Sequence, residues 1–230
     1  MPVNNACAPI EDVRIELQNL APPYLLRKYD VTSDDYEELA NEDLRCEFLD
    51  GVLIVHSPAS IQHEGGLSFL HVLLGHFIFE RKLGRLFGSN AVMQLDQRRF
   101  CPDLSFLSAE HVDRIQNGRV YGPMDIAIES ISNSTRAYDL GEKRLAYQQG
   151  RVPEIWFFDC DRRLAEIDFL EAGGYVTKSL TEGRFESRVL PGLSINVSWL
   201  WQDPPPNPLD VSTPGHDGSR AFSFGWPKTF

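Results

Sequence analysis

The chain has 230 residues, with 22 Lys and Arg against 33 Asp and Glu, a formal net charge of −11. Hydrophobic residues make up 42% and charged residues 24%, which excludes collagen-like, coiled-coil and wholly disordered chains. The acidic balance argues against a protein that coats nucleic acid, because such binding works through Lys and Arg displacing counterions, but it leaves room for a local basic cleft.

Residues 1–23 show little periodicity and contain Pro22-Pro23, so they read as an N-terminal arm with at most one short ordered segment. Met1 to Gln18 has no basic start followed by an apolar core, which points away from a signal peptide. The body spans residues 24–201. Thr32-Ser33-Asp34-Asp35 before Tyr36 marks a helix start with acids in its first turn. Asp50-Gly51 between two apolar runs predicts a β-hairpin over Arg45–Asp50 and Val52–His56. Leu67, Leu70, Leu74, Phe77 and Ile78 fall at helical spacing and predict a long buried helix from about Ser60 to Lys82, with Gly84 placed to end it. Its apolar run is broken by His71 and His76 and is shorter than the roughly 18 residues of a membrane span.

Strands are predicted over Arg85–Ser89, Ala91–Leu95 and Leu104–Leu107, then a short helix over Ala109–Asn117 closed by Gly118. Asp125–Ile131 reads as a central strand and Ala137–Gln149 as a helix ending at Gly150. Glu154–Asp159, Leu164–Leu170 and Tyr175–Leu180 read as further strands. This order describes an α/β (α+β) fold with a mixed central sheet flanked by helices. Residues 202–230 form a Pro-rich and aromatic tail, with Phe222, Phe224, Trp226 and Phe230 able to dock on the body or on a partner. Cys7, Cys46, Cys101 and Cys160 are scattered, with no Cys-x-x-Cys pair. That argues against a zinc site and a disulfide scaffold and suits a reducing cytoplasm.

Glu129 is the first anomaly. It lies in a strand whose neighbours are Ile126, Ala127, Ile128 and Ile131, where a carboxylate is costly unless paired with a basic group or bound to a metal. Asp103, in Pro102-Asp103, is common turn chemistry unless it lies beside Glu129. Two carboxylates on neighbouring strands can hold a hard cation such as Mg²⁺. Asp139, Lys143 and Tyr147 follow at intervals of four, so they share one helix face, either as a surface ion pair or as part of a site. Glu47 stands in the first hairpin strand, and local sequence leaves open whether it faces inward or outward. Arg81-Lys82 with Arg85, Arg98-Arg99, Arg162-Arg163, and Arg136 with Arg144 are the basic clusters. Such runs usually form solvated faces, but Arg136 and Arg144 flank the candidate acids and could meet a phosphate backbone.

These residues come in a recognisable order. Glu47-Phe48-Leu49-Asp50-Gly51, Ser57-Pro58 with His63, Pro102-Asp103-Leu104, Glu129-Ser130-Ile131-Ser132 through Arg136, Asp139, Lys143 and Tyr147, and Gly150 to Asp159 together resemble the Uma-two family of bacterial endonuclease-like proteins, within the PD-(D/E)XK superfamily. The resemblance runs from about Tyr29 to Val197. It implies a restriction-endonuclease-like core and metal-dependent phosphodiester cleavage. Asp103 matches the motif Asp, Glu129 the Glu of the E-x-K element, and Glu47 the acidic residue of the first hairpin. The third position of E-x-K is Ile131, and Lys143 on the next helix takes the matching place. Asn133-Ser134 departs from the commoner Pro-Ser, a loop change that removes no implied ligand.

On this reading Asp103 and Glu129 hold Mg²⁺ or Mn²⁺, with Glu47 assisting. Lys143 orients water or stabilises transition-state charge. His63, Tyr147 and Asp139 support the site, although His63 also suits a plain first-turn position. The expected substrate is nucleic acid, DNA foremost, met in a confined cleft by a monomer or homodimer, with no membrane role. The competing reading is a non-catalytic interaction or regulatory module on the same fold that works through its aromatic tail. Glycoside hydrolysis by a carboxylate pair ranks last, because no aromatic sugar platform is evident.

Overall fold

A computed structural model describes residues 10–40, 44–57 and 61–211. Helix α1 (Ile10–Gln18) and strand β1 (Leu25–Lys28) lead into α2 (Ser33–Ala40). Thr32 caps α2: its hydroxyl accepts from the Asp35 N–H, and the Asp35 carboxylate accepts from the Thr32 N–H and hydroxyl. Val13 of α1 packs with Val31, Tyr36 and Leu39 in a small core under the first hairpin, so the N-terminal arm carries an ordered, docked helix.

The hairpin is β2 (Cys46–Leu49) and β3 (Val52–His56). Asp50 and Gly51 both take positive φ, as the sequence pattern requires of a two-residue turn. Helix α3 (Ile61–Arg81) follows the predicted stripe: Leu70, Leu73, Leu74, Phe77 and Ile78 are all buried. It ends one turn before Gly84, with Lys82 in the left-handed position. Gly84 instead opens β4 (Gly84–Gly88), where a Cβ would stand 2.1 Å from the Leu107 carbonyl oxygen.

Strands β5 (Met93–Leu95), β6 (Arg98–Phe100) and β7 (Leu104–Ser108) follow. The helix predicted over Ala109–Asn117 is only a 3-10 turn, Ala109–Arg114. Beyond it β8 (Ile115–Gln116) and β9 (Arg119–Tyr121) form a hairpin. Asn117-Gly118 is its turn, both residues at positive φ, so the Gly read as a helix stop is a hairpin Gly. Strand β10 (Ile126–Ser130) precedes α4 (Arg136–Tyr138), a π turn (Asp139–Lys143) and α5 (Arg144–Gln149). Next come β11 (Glu154–Asp159), β12 (Leu164–Glu171), β13 (Gly174–Leu180), and the small pair β14 (Arg184–Glu186) and β15 (Ser194–Asn196). A 3-10 turn, Val197–Trp201, and α6 (Pro208–Val211) close the described chain. Val211 is buried with the α3 core, so the tail predicted from residue 202 begins docked.

Six strands form one sheet in the order β13-β12-β11-β10-β7-β4, and seven form another in the order β1-β3-β2-β6-β5-β9-β8. Both are mixed: β10 pairs parallel to β11, and β5 parallel to β9. Period-two alternation divides the interior. Ile126, Ile128, Trp156 and Phe158 face α3 in one core. Ala127, Ile155 and Phe157 face Leu49, Ile54, Leu95 and Phe100 of the seven-stranded sheet in another, which Tyr138, Ala146 and Tyr147 complete. The six-stranded sheet thus has a helix on one face and, on the other, a second sheet with the α4–α5 segment. No helix among the described residues is long and apolar enough to cross a membrane.

Candidate active site: a buried carboxylate–lysine cluster

The alternation that sends Ile126 and Ile128 toward α3 sends Ala127 and Glu129 toward the seven-stranded sheet. Antiparallel β7–β10 pairing sets Leu104 opposite Ile128, which leaves Asp103 beside the end of β10. There the Ser130 N–H donates to Asp103 Oδ2 at 2.8 Å. In β2, Cys46 and Phe48 pack into the small N-terminal core while Leu49 joins the inter-sheet core. Glu47 therefore points inward, which decides the alternative that sequence left open, and it is fully buried.

Lys143 closes the π turn, and both Lys143 and Asp139 are buried there. The Arg144 N–H reaches the Asp139 carbonyl, the i to i+5 bond that defines such a turn. Lys143 Nζ lies 2.9 Å from Glu47 Oε1, 2.9 Å from Glu129 Oε2 and 4.0 Å from Asp139 Oδ1. These are close ion pairs rather than well-aligned hydrogen bonds. Tyr147 donates to Glu129 Oε1 at 2.7 Å. The structure thus gathers Glu47, Asp103, Glu129, Asp139, Lys143 and Tyr147 around one point.

Three members were missed by sequence reasoning. Tyr138 donates to Glu47 Oε2 at 2.7 Å, and His56 Nε2 lies 3.1 Å from the same oxygen. Arg45 Nη2 donates to Asp103 Oδ1 at 2.5 Å and to the Cys101 carbonyl at 3.4 Å. The Cys101 N–H donates to Glu47 Oε1 at 2.8 Å. His63 lies in the first turn of α3, and its side chain falls outside the described part of the structure.

The electrostatics are uneven. Four carboxyl groups, Glu47, Asp103, Glu129 and Asp139, face two permanent cations, Lys143 and Arg45. Burial pushes the Glu47 carboxyl up, but Lys143 and His56 outweigh it and hold the group well below its usual range. Burial raises Glu129 well above its usual range. Lys143 opposes that, while Asp103, Asp139 and Glu47 add to it. Burial likewise raises Asp139. Burial alone would lower Lys143, but the surrounding carboxylates win and keep it an ammonium ion.

Glu47 is thus a saturated, ionised anchor that accepts from Tyr138 and Cys101 and pairs with Lys143 and His56. Asp103 accepts from Arg45 and from the Ser130 N–H, and Glu129 accepts from Tyr147 beside the Lys143 ammonium. Both acids offer only oxygen, and a divalent ion would offset the excess of acids, so the set fits a hard cation. Among the described residues no three His, Cys, Asp or Glu side chains make a ready cage. Mg²⁺ suits such a site, since it is usually held by one or two carboxylates plus water and substrate oxygens.

The two arginines flanking the acids are committed elsewhere. Arg144 donates to Asp168 at 2.7 and 2.5 Å and to Glu166 at 3.1 Å, and its guanidinium lies 5.2 Å from the Phe157 ring. Its charge is met on β12. Arg136 pairs with Asp159 and reaches Asn133. Clefts of about 510 Å³, beside Phe87 and Arg119, and about 780 Å³, beside Phe69 and Trp199, contain no member of the cluster.

A sequence model of the Uma2 family, described as "Putative restriction endonuclease", matches residues 33–198. Among solved structures, a protein from Anabaena variabilis ATCC 29413 described as "a putative nuclease belonging to DUF820" superposes with a TM-score of 0.64 at 15% identity. The match covers 74% of this chain and 97% of that one. At that identity the likeness is one of fold. A search of curated proteins finds no match.

Proposed function

The chain belongs to the Uma2 family, and on that footing we propose that it is a metal-dependent endonuclease that hydrolyses phosphodiester bonds in nucleic acid, with DNA the expected substrate. The observation that carries this reading is the buried Lys143 ammonium, 2.9 Å from Glu129 and held there by Glu47, at the strand end that Asp103 shares. A lysine is not taken from water into such a place for stability, because burying charges costs more than most pairs return.

Asp103 and Glu129 would hold Mg²⁺ or Mn²⁺. Bound there, the ion would supply Lewis acidity toward a phosphoryl oxygen and acidify a water molecule. The chain's own residues do the rest. Glu47 fixes the Lys143 ammonium through its ion pair and is itself fixed by Tyr138, His56 and the Cys101 N–H. Lys143, enclosed by its carboxylates, then adds positive charge to the site through its pair with Glu129, which would favour the negative charge a pentacovalent phosphate develops. Tyr147 sets the orientation of the Glu129 carboxyl, and Ser130 that of Asp103. Cys46 and Cys101 are buried free thiols held up to about 12 by burial. The cytoplasm is the place of action this reading assigns, as scattered cysteines with no Cys-x-x-Cys pair suggest.

The test is cleavage of supercoiled plasmid DNA by the full chain with Mg²⁺ or Mn²⁺. Nicked or linear product is expected from the native protein and none from Asp103→Asn or Glu129→Gln, with calorimetric Mn²⁺ uptake lost in the same variants. Intact plasmid, intact RNA and no Mn²⁺ uptake would sink the reading in favour of the non-catalytic module.

A further inference from the structure

Among the described residues, Arg45 is the one cluster cation that reaches the surface. Its side chain is 27% exposed, against 6% for Asp103 and 1% for Lys143. It stands just before β2, on the hairpin that also carries Glu47, and it bonds the outer acid of the cluster by one nitrogen, Nη2. Its Nε is buried without a hydrogen-bond partner among the described residues. A guanidinium carries five donors in a rigid fork suited to two parallel bonds with a carboxylate or a phosphate. Here it grips Asp103 with a single nitrogen, which leaves a buried donor unmet, an arrangement proteins generally avoid. Its bonds to Asp103 and to the Cys101 carbonyl both come from Nη2, so the fork is built for more than it holds.

Asp103 is also one of the two acids that the nuclease reading assigns to the metal. A guanidinium and a divalent ion at that carboxylate would compete for the same negative charge. Lys143 cannot be the competitor, because it is enclosed by Glu47, Glu129 and Asp139. Arg45, tethered at the mouth and partly in water, can turn outward.

Resting on the metal-dependent reading above, we propose that Arg45 is a movable cation of this site. It neutralises Asp103 while no divalent ion is bound, and it turns its fork to a substrate phosphate oxygen once an ion takes that carboxylate. Arg45 is then a substrate-positioning residue whose availability is coupled to metal binding. An enzyme built this way keeps its phosphate grip in reserve until the metal has arrived.

The experiment uses the full chain and three readouts. In ¹H–¹⁵N spectra, the Arg45 Nε–H signal, assigned by its loss in Arg45→Lys, should move as Mg²⁺ is added and stay still in Asp103→Asn. In calorimetry, Arg45→Ala should bind Mg²⁺ about tenfold more tightly than the native protein. Arg188→Gln, which removes a cation paired with Glu171 rather than with Asp103, should not change the affinity. In fluorescence anisotropy with a labelled 12-base-pair duplex, Mg²⁺ should tighten binding by the native protein several-fold, and that gain should vanish in Arg45→Ala. A native protein that takes up no Mg²⁺ overturns the metal-dependent reading and this inference with it. Mg²⁺ uptake that depends on Asp103 but is unchanged or weakened in Arg45→Ala overturns the inference alone. Tighter Mg²⁺ binding with an undiminished duplex gain overturns the phosphate role.

Discussion

Lys143 is where removal should cost most. Replacing it by Met leaves Glu47 and Glu129 buried without their shared partner, and breaking one side of a buried ion pair typically costs about 3–5 kcal/mol. Urea denaturation should show a lower midpoint at an unchanged slope. Tyr138→Phe removes one hydrogen bond to an ionised carboxylate and should cost about 1.5–3 kcal/mol in the same assay. Residue by residue, the cluster was half legible in the sequence. Glu129 stood out because isoleucines flank it, and Asp103 because it opens an apolar strand. Arg45, His56 and Tyr138 carried no such mark. Tyr138 meets Glu47 across 91 positions and Arg45 meets Asp103 across 58, and no local pattern encodes a bond of that span. Lys143 was ambiguous for the same reason: its local partner Asp139 is its most distant, at 4.0 Å.

Among the elements, the π turn is the one that sets the chemistry. The helix predicted over Ala137–Gln149 formed, but with one wide turn, Asp139–Lys143, that puts Tyr138 and Lys143 on the two sides of Glu47's carboxylate. Deleting Gly141 should restore a plain α-helix and rotate Tyr138 and Asp139 by about 100° relative to Lys143. The expected result is native-like far-UV circular dichroism with Mn²⁺ uptake abolished. Gly141→Ala is the control, since a Cβ there meets nothing within 4 Å. Alanine at a helical position outranks glycine, so the thermal melt should show equal or greater stability, by up to about 1 kcal/mol. Apart from Gly141 itself, nothing in the composition of this segment signals a π turn. Strands β6, β8, β9, β14 and β15 escaped prediction because two or three residues are too few to display alternation. The β8–β9 hairpin did carry its signal in Asn117-Gly118, but the same glycine also suits a helix end.

At the scale of the molecule, the net charge of −11 sets how nucleic acid can be met. The excess of acids repels a phosphate backbone, and Arg144, Arg119 and Arg98 are each paired with a carboxylate. Duplex affinity should therefore fall only gently with salt, with a log–log slope of about −2, as for two or so neutralised phosphates. Anisotropy titrations at several salt concentrations measure that slope. Arg144→Ala should leave it unchanged while destabilising the fold by roughly 1–3 kcal/mol through the loss of its bonds to Asp168. The layer order was legible in outline, as a mixed sheet with helices. The second sheet was not, because its seven strands are short and drawn from three separate stretches of chain.

The cluster takes its groups from β2, the approach to β7, the end of β10 and the π turn, so Glu47 waits for a lysine 96 positions later. During synthesis the first hairpin and both motif acids are made well before residue 143. A ribosome-bound or prematurely ended chain that stops short of it therefore carries the acids without the ammonium that organises them. Such a fragment should be chemically inert toward nucleic acid. On the proposed reading, a cell making this protein would meet nuclease activity only from folded copies that include Lys143.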